Sequence, residues 1–401
     1  MRVIHVINSL NGSGGAEQGL VREIVHFDDQ VDNLVLRLFD PDDLLGELEA
    51  SQRIRVKPLG MRAASSAWNW PEAARRVGRE VRRFRPDVIH TSLFVGNLVG
   101  QLAAARANLP VMSTFTLTGD RQLHRQLQPG AGTIRAATLR RIAANVGRRE
   151  NTWYRALSND AADTNCELMG IDRSRVTVIP RGVPLSRHSP DKARFGIPDD
   201  ARLLVNVGRL AAQKGQGHLL HSFRRIKDRI PAAHLAIAGK EGDAAGTVAR
   251  VIAELGLRDS VHLLGYRRDL PILLESADVF LSSSLAEGLG TAILEAMAVD
   301  LPVVAFDVPA IREMTDSGKY ATLVPIGDVE GLAAAAMGIL NRGTRASTSS
   351  WVAGHFGLPL VASQVQQALF RVVQAQRQQA SSSKKRDRQA GASHSSGFSA
   401  S

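Results

Sequence analysis

The chain has 401 residues, 44% of them hydrophobic and 22% charged, which suits two globular domains with sizeable cores. Its single cysteine, Cys166, excludes an internal disulfide, a cysteine-only zinc site and an iron–sulfur cluster, and points to a reducing, cytoplasmic setting. Fifty Lys and Arg against 39 Asp and Glu give a net charge of +11, which favours anionic partners, and no run of about 18 apolar residues is present to cross a membrane.

The N-terminal apolar run is too short for a secretory signal, and glycines follow it at once. Residues 3–7 read as a first strand, 11–15 as a glycine loop and the stretch from Ala16 as a helix. Strands are expected at 33–38, 54–58, 87–90, 110–114 and 154–158, with helices at 71–83 and 96–105. The series restarts with strands at 203–207, 235–238, 261–264, 279–281 and 302–306, and helices at 217–229, 247–255, 291–298 and 328–340. Near-continuous apolar strands alternating with helices predict parallel sheets covered on both faces. The expected fold class is therefore α/β, with two doubly wound Rossmann-like domains facing a central cleft. Domain one spans 1–180, a Pro- and Arg-rich linker 181–200 and domain two 201–355. A helix over 356–380 is expected to cross back to the first domain, and the Ser-rich 381–401 to form a disordered tail.

Residues 121–149 carry seven arginines and no acidic residue. Leu139, Ile142, Ala143 and Val146 share one helical face there, with Arg140, Arg141 and Arg148 elsewhere. That pattern fits either a basic helix lying peripherally on an anionic membrane or a solvated helix face. Aromatic residues make up only 5% of the chain and do not interleave with basic ones, which argues against nucleic acid as a partner.

The segment AEGLGTAILEAMA, 286–298, follows the strand at 279–281. Glu287 falls in the loop, Gly288 and Gly290 loosen the turn, and the helix start offers unpaired N–H groups to a phosphate. Glu295, one turn in, stands among Ala292, Ile293, Leu294, Ala296 and Met297, so the helix reads as buried. A buried carboxylate needs a partner, and two vicinal ribose hydroxyls are a suitable one. Arg209 and Lys214 stand after the strand at 203–207, where two cations suit a diphosphate and the charge on a departing phosphate. The loop at 11–17 is not G-x-G-x-x-G, so a dinucleotide cofactor is not expected.

The segments NVGRLAAQKG, IAGKEG, the run from VHLLGY through AIREM, and LVPIGDVEGLAAAA span about residues 203–340. They resemble retaining glycosyltransferases of family four, of GT-B architecture, and the Glu287-x7-Glu295 pair matches that family's signature. GGAE at 14–17, RPDVIH at 85–90 and VTVIPRGV at 176–183 are similar to its N-terminal landmarks. The resemblance implies that Glu295 binds a nucleotide's ribose and that Glu287 contacts the donor sugar, helped by the backbone of Gly288, Leu289 and Gly290. It implies that Arg209 and Lys214 hold the diphosphate, that Gly14 and Gly15 approach the phosphates and acceptor, and that the turn carrying Tyr266 and Arg267 flanks the base. It further implies a nucleotide-sugar substrate, UDP rather than GDP, no cofactor and no metal, and a glycan or lipid-linked acceptor.

Three departures stand out. The family often places a His after the strand at 110–114, where this chain has Thr116; His90 and Asp120 are further acceptor-side candidates. Arg181 and Pro184 replace Asn and Asp, and Asp300 replaces Gly, all read as loop changes. The missing His keeps open an alternative, a catalytically impaired nucleotide-sugar-binding protein or a partner subunit of an active transferase. An epimerase is disfavoured by the detail of the Glu287 and Glu295 pattern, and a dehydrogenase by the absent fingerprint.

Overall fold

The computed structural model describes residues 1–10, 15–39, 48, 54–61, 70–115 and 134–395. The first sheet contains β1 (Arg2–Ile7), β2 (Asp32–Phe39), β3 (Ile54–Met61), β4 (Val88–Thr91), β5 (Val111–Thr114), β6 (Thr152–Ala156) and β7 (Val176–Val178). Its order is β3-β2-β1-β4-β5-β6-β7, with every pairing parallel. The second contains β8 (Arg202–Val207), β9 (Ala233–Ala238), β10 (Val261–Gly265), β11 (Val279–Ser282), β12 (Val303–Phe306) and β13 (Thr322–Val324). Its order is β10-β9-β8-β11-β12-β13, again all parallel. Strand order reverses beside β1 and beside β8, and crevices for ligands open at the carboxyl ends of such strands.

Side-chain alternation along β1 divides the first core. Val3 and Ile7 pack with helix α1 (Gly15–Ile24), whereas Ile4 and Val6 face α2 (Trp70–Phe84) and α3 (Phe94–Ala107). Helices α4 (Ile134–Gly147) and α5 (Asn159–Met169) complete this half. In α4, Ala143 and Val146 are buried, whereas Arg141 within the helix and Arg148 and Arg149 just beyond it are exposed. The second sheet carries α6 (Gln216–Arg229), α7 (Ala245–Glu254), α8 (Leu270–Ser276), α9 (Thr291–Ala298), α10 (Pro309–Met314), α11 (Val329–Arg342) and α12 (Ser349–Phe356). The segment expected as a linker does more than connect, because Val183, Phe195 and Ile197 join the second core.

The last helix, α13 (Leu358–Ser395), buries Val361, Val365 and Leu369 against the first sheet, beside α1. The two chain crossings run together: Val183 N donates to Phe356 O at 2.9 Å and Leu358 N to Val183 O at 3.1 Å. Helix α13 also corrects the sequence reading, since it runs through residues 381–395, where a disordered tail was expected. Gln, Lys, Arg and Ala there are good helix formers, and extending a packed helix avoids the cost of nucleation. Among the described residues no helix is long and apolar enough to cross a membrane.

Candidate nucleotide-sugar site

The loops after β8 and β11 are stitched together. Leu285 N donates to Gln213 O at 2.8 Å, Gln213 Nε2 to Ala286 O at 2.8 Å and Ser283 Oγ to Lys214 O at 2.9 Å. Gly215 makes this approach possible: its φ is +61°, and a Cβ there would lie 2.2 Å from Ser283 O. The stitching delivers Lys214 to Glu287, with Nζ 2.5 Å from Oε1, and Ser284 Oγ donates to the same oxygen at 2.7 Å. Arg209 is exposed, with no side-chain partner among the described residues, so its guanidinium is available to a ligand.

Gly290, at φ +94°, caps α9 and offers no side chain to its first N–H groups. Ile293, Leu294, Ala296 and Met297 fix the helix in the second core. Glu295 points the other way, into the cleft, where Arg22 Nη1 of α1 donates to its Oε1 at 2.7 Å. Each acid of the Glu-x7-Glu pair is thus matched with one cation, Lys214 from its own domain and Arg22 from the other. Two carboxylates so neutralised repel an anionic diphosphate less than bare ones.

Further bonds close the two domains on each other. Gln18 Nε2 donates to the Tyr266 hydroxyl at 3.2 Å, and Ser158 Oγ to Gly288 O at 3.0 Å. The carboxylate of Glu313 accepts from Asn159 N at 2.8 Å and from Asn159 Nδ2 at 2.7 Å, so an acid of α10 sits at the positive end of α5. Glu17 is desolvated beneath this junction, which pushes its carboxyl above the ordinary range against the pull of Arg181 and Lys240.

The other expected site residues are distributed as follows. Gly15 opens α1 with free space around it, as Gly288 has in its loop, whereas Leu289 is buried. Tyr266 lies in the cleft, with Lys240 Nζ 5.4 Å from its ring centroid. Arg267 is engaged elsewhere: its Nε and Nη2 donate to Asp269 at 2.8 and 2.7 Å. That bond, with help from Arg194, draws Asp269 down to about 2. Gly14, Thr116 and Asp120 lie outside the described residues.

His90 is 1% exposed, inside the first domain rather than on the cleft wall. Its Nδ1 lies 3.1 Å from His5 Nδ1, and its Nε2 3.3 Å from Thr114 Oγ1. Asn33 Nδ2 donates to Val31 O, which turns Oδ1 toward His5 Nε2, 2.9 Å away. The consistent assignment has His5 donating to Asn33, His90 donating to His5 and Thr114 donating to His90, with both rings neutral. Burial, followed by the charges of His5, Arg155 and Arg181, holds His90 well below its ordinary pKa.

The sequence reading passed over Arg22, Gln18, Ser158 and Glu313. Their role depends on how the two domains face each other, and no local pattern announces it. Asp300, read as a loop change, has φ +57° and accepts from Thr348 N and Ser349 N at 2.9 and 2.8 Å. It serves the start of α12 while holding a backbone conformation that favours glycine. Among the described residues no group of three or more His, Cys, Asp or Glu is arranged to hold a metal ion.

Residues 189–349 match the sequence profile of glycosyl transferases group 1, and residues 13–187 that of glycosyltransferase family 4. An uncharacterized glycosyltransferase of Methanocaldococcus jannaschii is 36% identical over 123 residues, 31% of this chain and 30% of that protein. The 2-deoxystreptamine N-acetyl-D-glucosaminyltransferase of Streptomyces fradiae is 28% identical over 312 residues, 71% of this chain and 69% of its own. The chain therefore spans under a third of the first relative's length and about two thirds of the second's. The crystal structure of Anabaena HepE in complex with UDP-glucose superposes with a TM-score of 0.77 at 20% identity, over 92% of this chain and 100% of that one. Two adjoining profile matches that run from the glycine loop to α12, on two facing parallel sheets, place the chain in family four of the glycosyltransferases, with the GT-B fold.

Proposed function

We propose that the protein transfers a sugar, with retention, from a nucleotide-diphosphate sugar, UDP rather than GDP, to a lipid-linked or polysaccharide acceptor. The observation that carries this reading is the pairing of Glu287 with Lys214 and Glu295 with Arg22 around the start of α9. Glu295 retains lone pairs for two ribose hydroxyls beside its bond to Arg22, since a carboxylate accepts at about four positions. Arg209, Lys214 and the N-terminus of α9 surround the diphosphate and offset charge on the leaving phosphate, in place of a divalent ion. Glu287, held by Lys214 and Ser284, accepts from hydroxyls of the donor sugar. The bound UDP-glucose of Anabaena HepE supports the choice of donor.

The reading includes peripheral contact with an anionic membrane from the cytoplasmic side. Of the basic segment expected to make it, 121–149, residues 121–133 lie outside the described residues. Helix α2 supplies a second basic surface: Arg75, Arg79, Arg82 and Arg83 are exposed on one face. A cavity of about 640 Å³ beside it is lined by Lys57, Pro58, Leu59, Arg76, Arg79, Arg82 and Arg83, with one acid, Glu80, paired to Lys57.

A thermal-shift panel of UDP, GDP and ADP with their common sugar conjugates tests the donor. A ligand at 100 times its Kd adds about 2.7 kcal/mol of stability. A shift confined to UDP compounds supports the reading, and a shift only with GDP compounds contradicts the base. Binding with no sugar transfer to any glycan or lipid-linked acceptor favours the alternative of a partner subunit.

A further inference from the structure

Arg181 follows β7 at the carboxyl end of the first sheet, just before the bridge that joins the two domain crossings. It is not the surface loop change its place in VTVIPRGV suggests. The side chain folds back against α1, where a Cβ on Gly19 would lie 2.0 Å from Arg181 Nη1; only glycine leaves the guanidinium its place. Arg181 is 6% exposed. Among the described residues, however, no acceptor lies within hydrogen-bonding distance of its guanidinium. Glu23 gives both oxygens to Arg155, at 2.6 and 2.7 Å, and Glu17 forms no ion pair with Arg181. Arg181 thus stands at the carboxyl end of the first sheet near Glu17 of α1, which also feels the charge of Lys240, just beyond β9 of the second domain.

A guanidinium that is 6% exposed and meets no acceptor among the described residues leaves its five donors to water or a ligand. Burial lowers its pKa only to about 10, so it remains a cation at neutral pH. We infer that Arg181, seated on Gly19, is an oxyanion subsite that binds a phosphate or carboxylate carried by the acceptor. The donor's diphosphate has its own cations, Arg209 and Lys214, at the ends of the second sheet. The planar fork of Arg181 offers paired donors to an oxyanion, a geometry that a lysine does not reproduce. Identifying the acceptor as the carrier rests on the transferase reading; the oxyanion subsite itself does not.

The test is calorimetric titration of the full chain with inorganic phosphate, methyl phosphate and acetate, each with and without saturating UDP. The wild type is expected to bind an oxyanion whether or not UDP is present. Arg181→Gln should weaken that binding about tenfold or more, with its melting temperature and UDP affinity unchanged. Gly19→Ala, which displaces the guanidinium while keeping it in the chain, should do the same, and Arg181→Lys should fall between. Oxyanion binding that is absent, equal in Arg181→Gln or abolished by UDP overturns the subsite. Binding of inorganic phosphate with neither methyl phosphate nor acetate makes the ligand a free ion and overturns the acceptor assignment. Loss of UDP binding by the wild type counts against the donor reading alone.

Discussion

Arg22 of α1 and Glu295 of α9 meet across the cleft, with 2.7 Å between Nη1 and Oε1. The acid proposed to hold the ribose is therefore oriented by the other domain, and the proposed nucleotide site is complete only when the domains are together. Arg22→Ala is expected to weaken UDP binding by about 1–2 kcal/mol, as for loss of a charge-assisted bond. The effect should nearly vanish in a Glu295→Gln background. A double-mutant cycle on UDP affinity measures this coupling, and additive losses would show that Arg22 acts independently of Glu295.

Gly215 is a tight steric point of the site, because β-carbon space there is already occupied by Ser283 O. Gly215→Ala must move the β8 and β11 loops apart and separate Lys214 from Glu287. Strain at a positive φ adds of order 1–3 kcal/mol to that cost. The expected result is a lowered melting temperature together with lost UDP binding. A variant that melts and binds like wild type would show that the two loops are not coupled.

His5 links stability to pH. Burial lowers its pKa from 6.5 to about 4, only partly offset by its bond to Asn33. The unfolded chain therefore binds a proton that the folded chain refuses. The stabilisation is present above pH 6.5 and is lost as pH falls toward 4. Its full size is of order 3 kcal/mol. Denaturant unfolding between pH 7 and 4 should show this decline, and His5→Gln should reduce its slope. An unchanged slope would place the titration elsewhere.

The basic face of α2 makes a separate prediction for membranes. Each exposed cation near an anionic leaflet contributes about 1 kcal/mol. Replacing Arg75, Arg79, Arg82 and Arg83 with Gln should weaken sedimentation with phosphatidylserine vesicles at low salt and leave UDP binding intact. Undiminished sedimentation would move the contact to another surface.

The strands that build the sheet centres were legible because both of their faces are buried. VIHVI of β1 and VFL of β11 are nearly unbroken apolar runs. The three-residue strands β7 and β13 are too short to carry a pattern and went unseen. Glu287 and Glu295 were legible from their spacing across a strand–loop–helix junction. Arg22 was not, because one arginine on an amphipathic helix resembles any solvated charge until the facing domain is in place. His90 misled for the opposite reason: a polar residue at a strand end reads as a site residue, and its partners His5, Asn33 and Thr114 come from neighbouring strands. Arg181 was dismissed because its burial depends on Gly19, far away in sequence.

The most direct test of the account is UDP affinity, measured by titration calorimetry, for the wild type and for Glu295→Gln. Glutamine keeps the side chain's shape but gives up the charge that holds Arg22 and half of the acceptor capacity offered to the ribose. The account predicts saturable UDP binding by the wild type and a loss of about tenfold or more in the variant, with the fold unchanged. Equal affinity in the two proteins, or no UDP binding by the wild type, would contradict the assignment of this cleft as the nucleotide-sugar site.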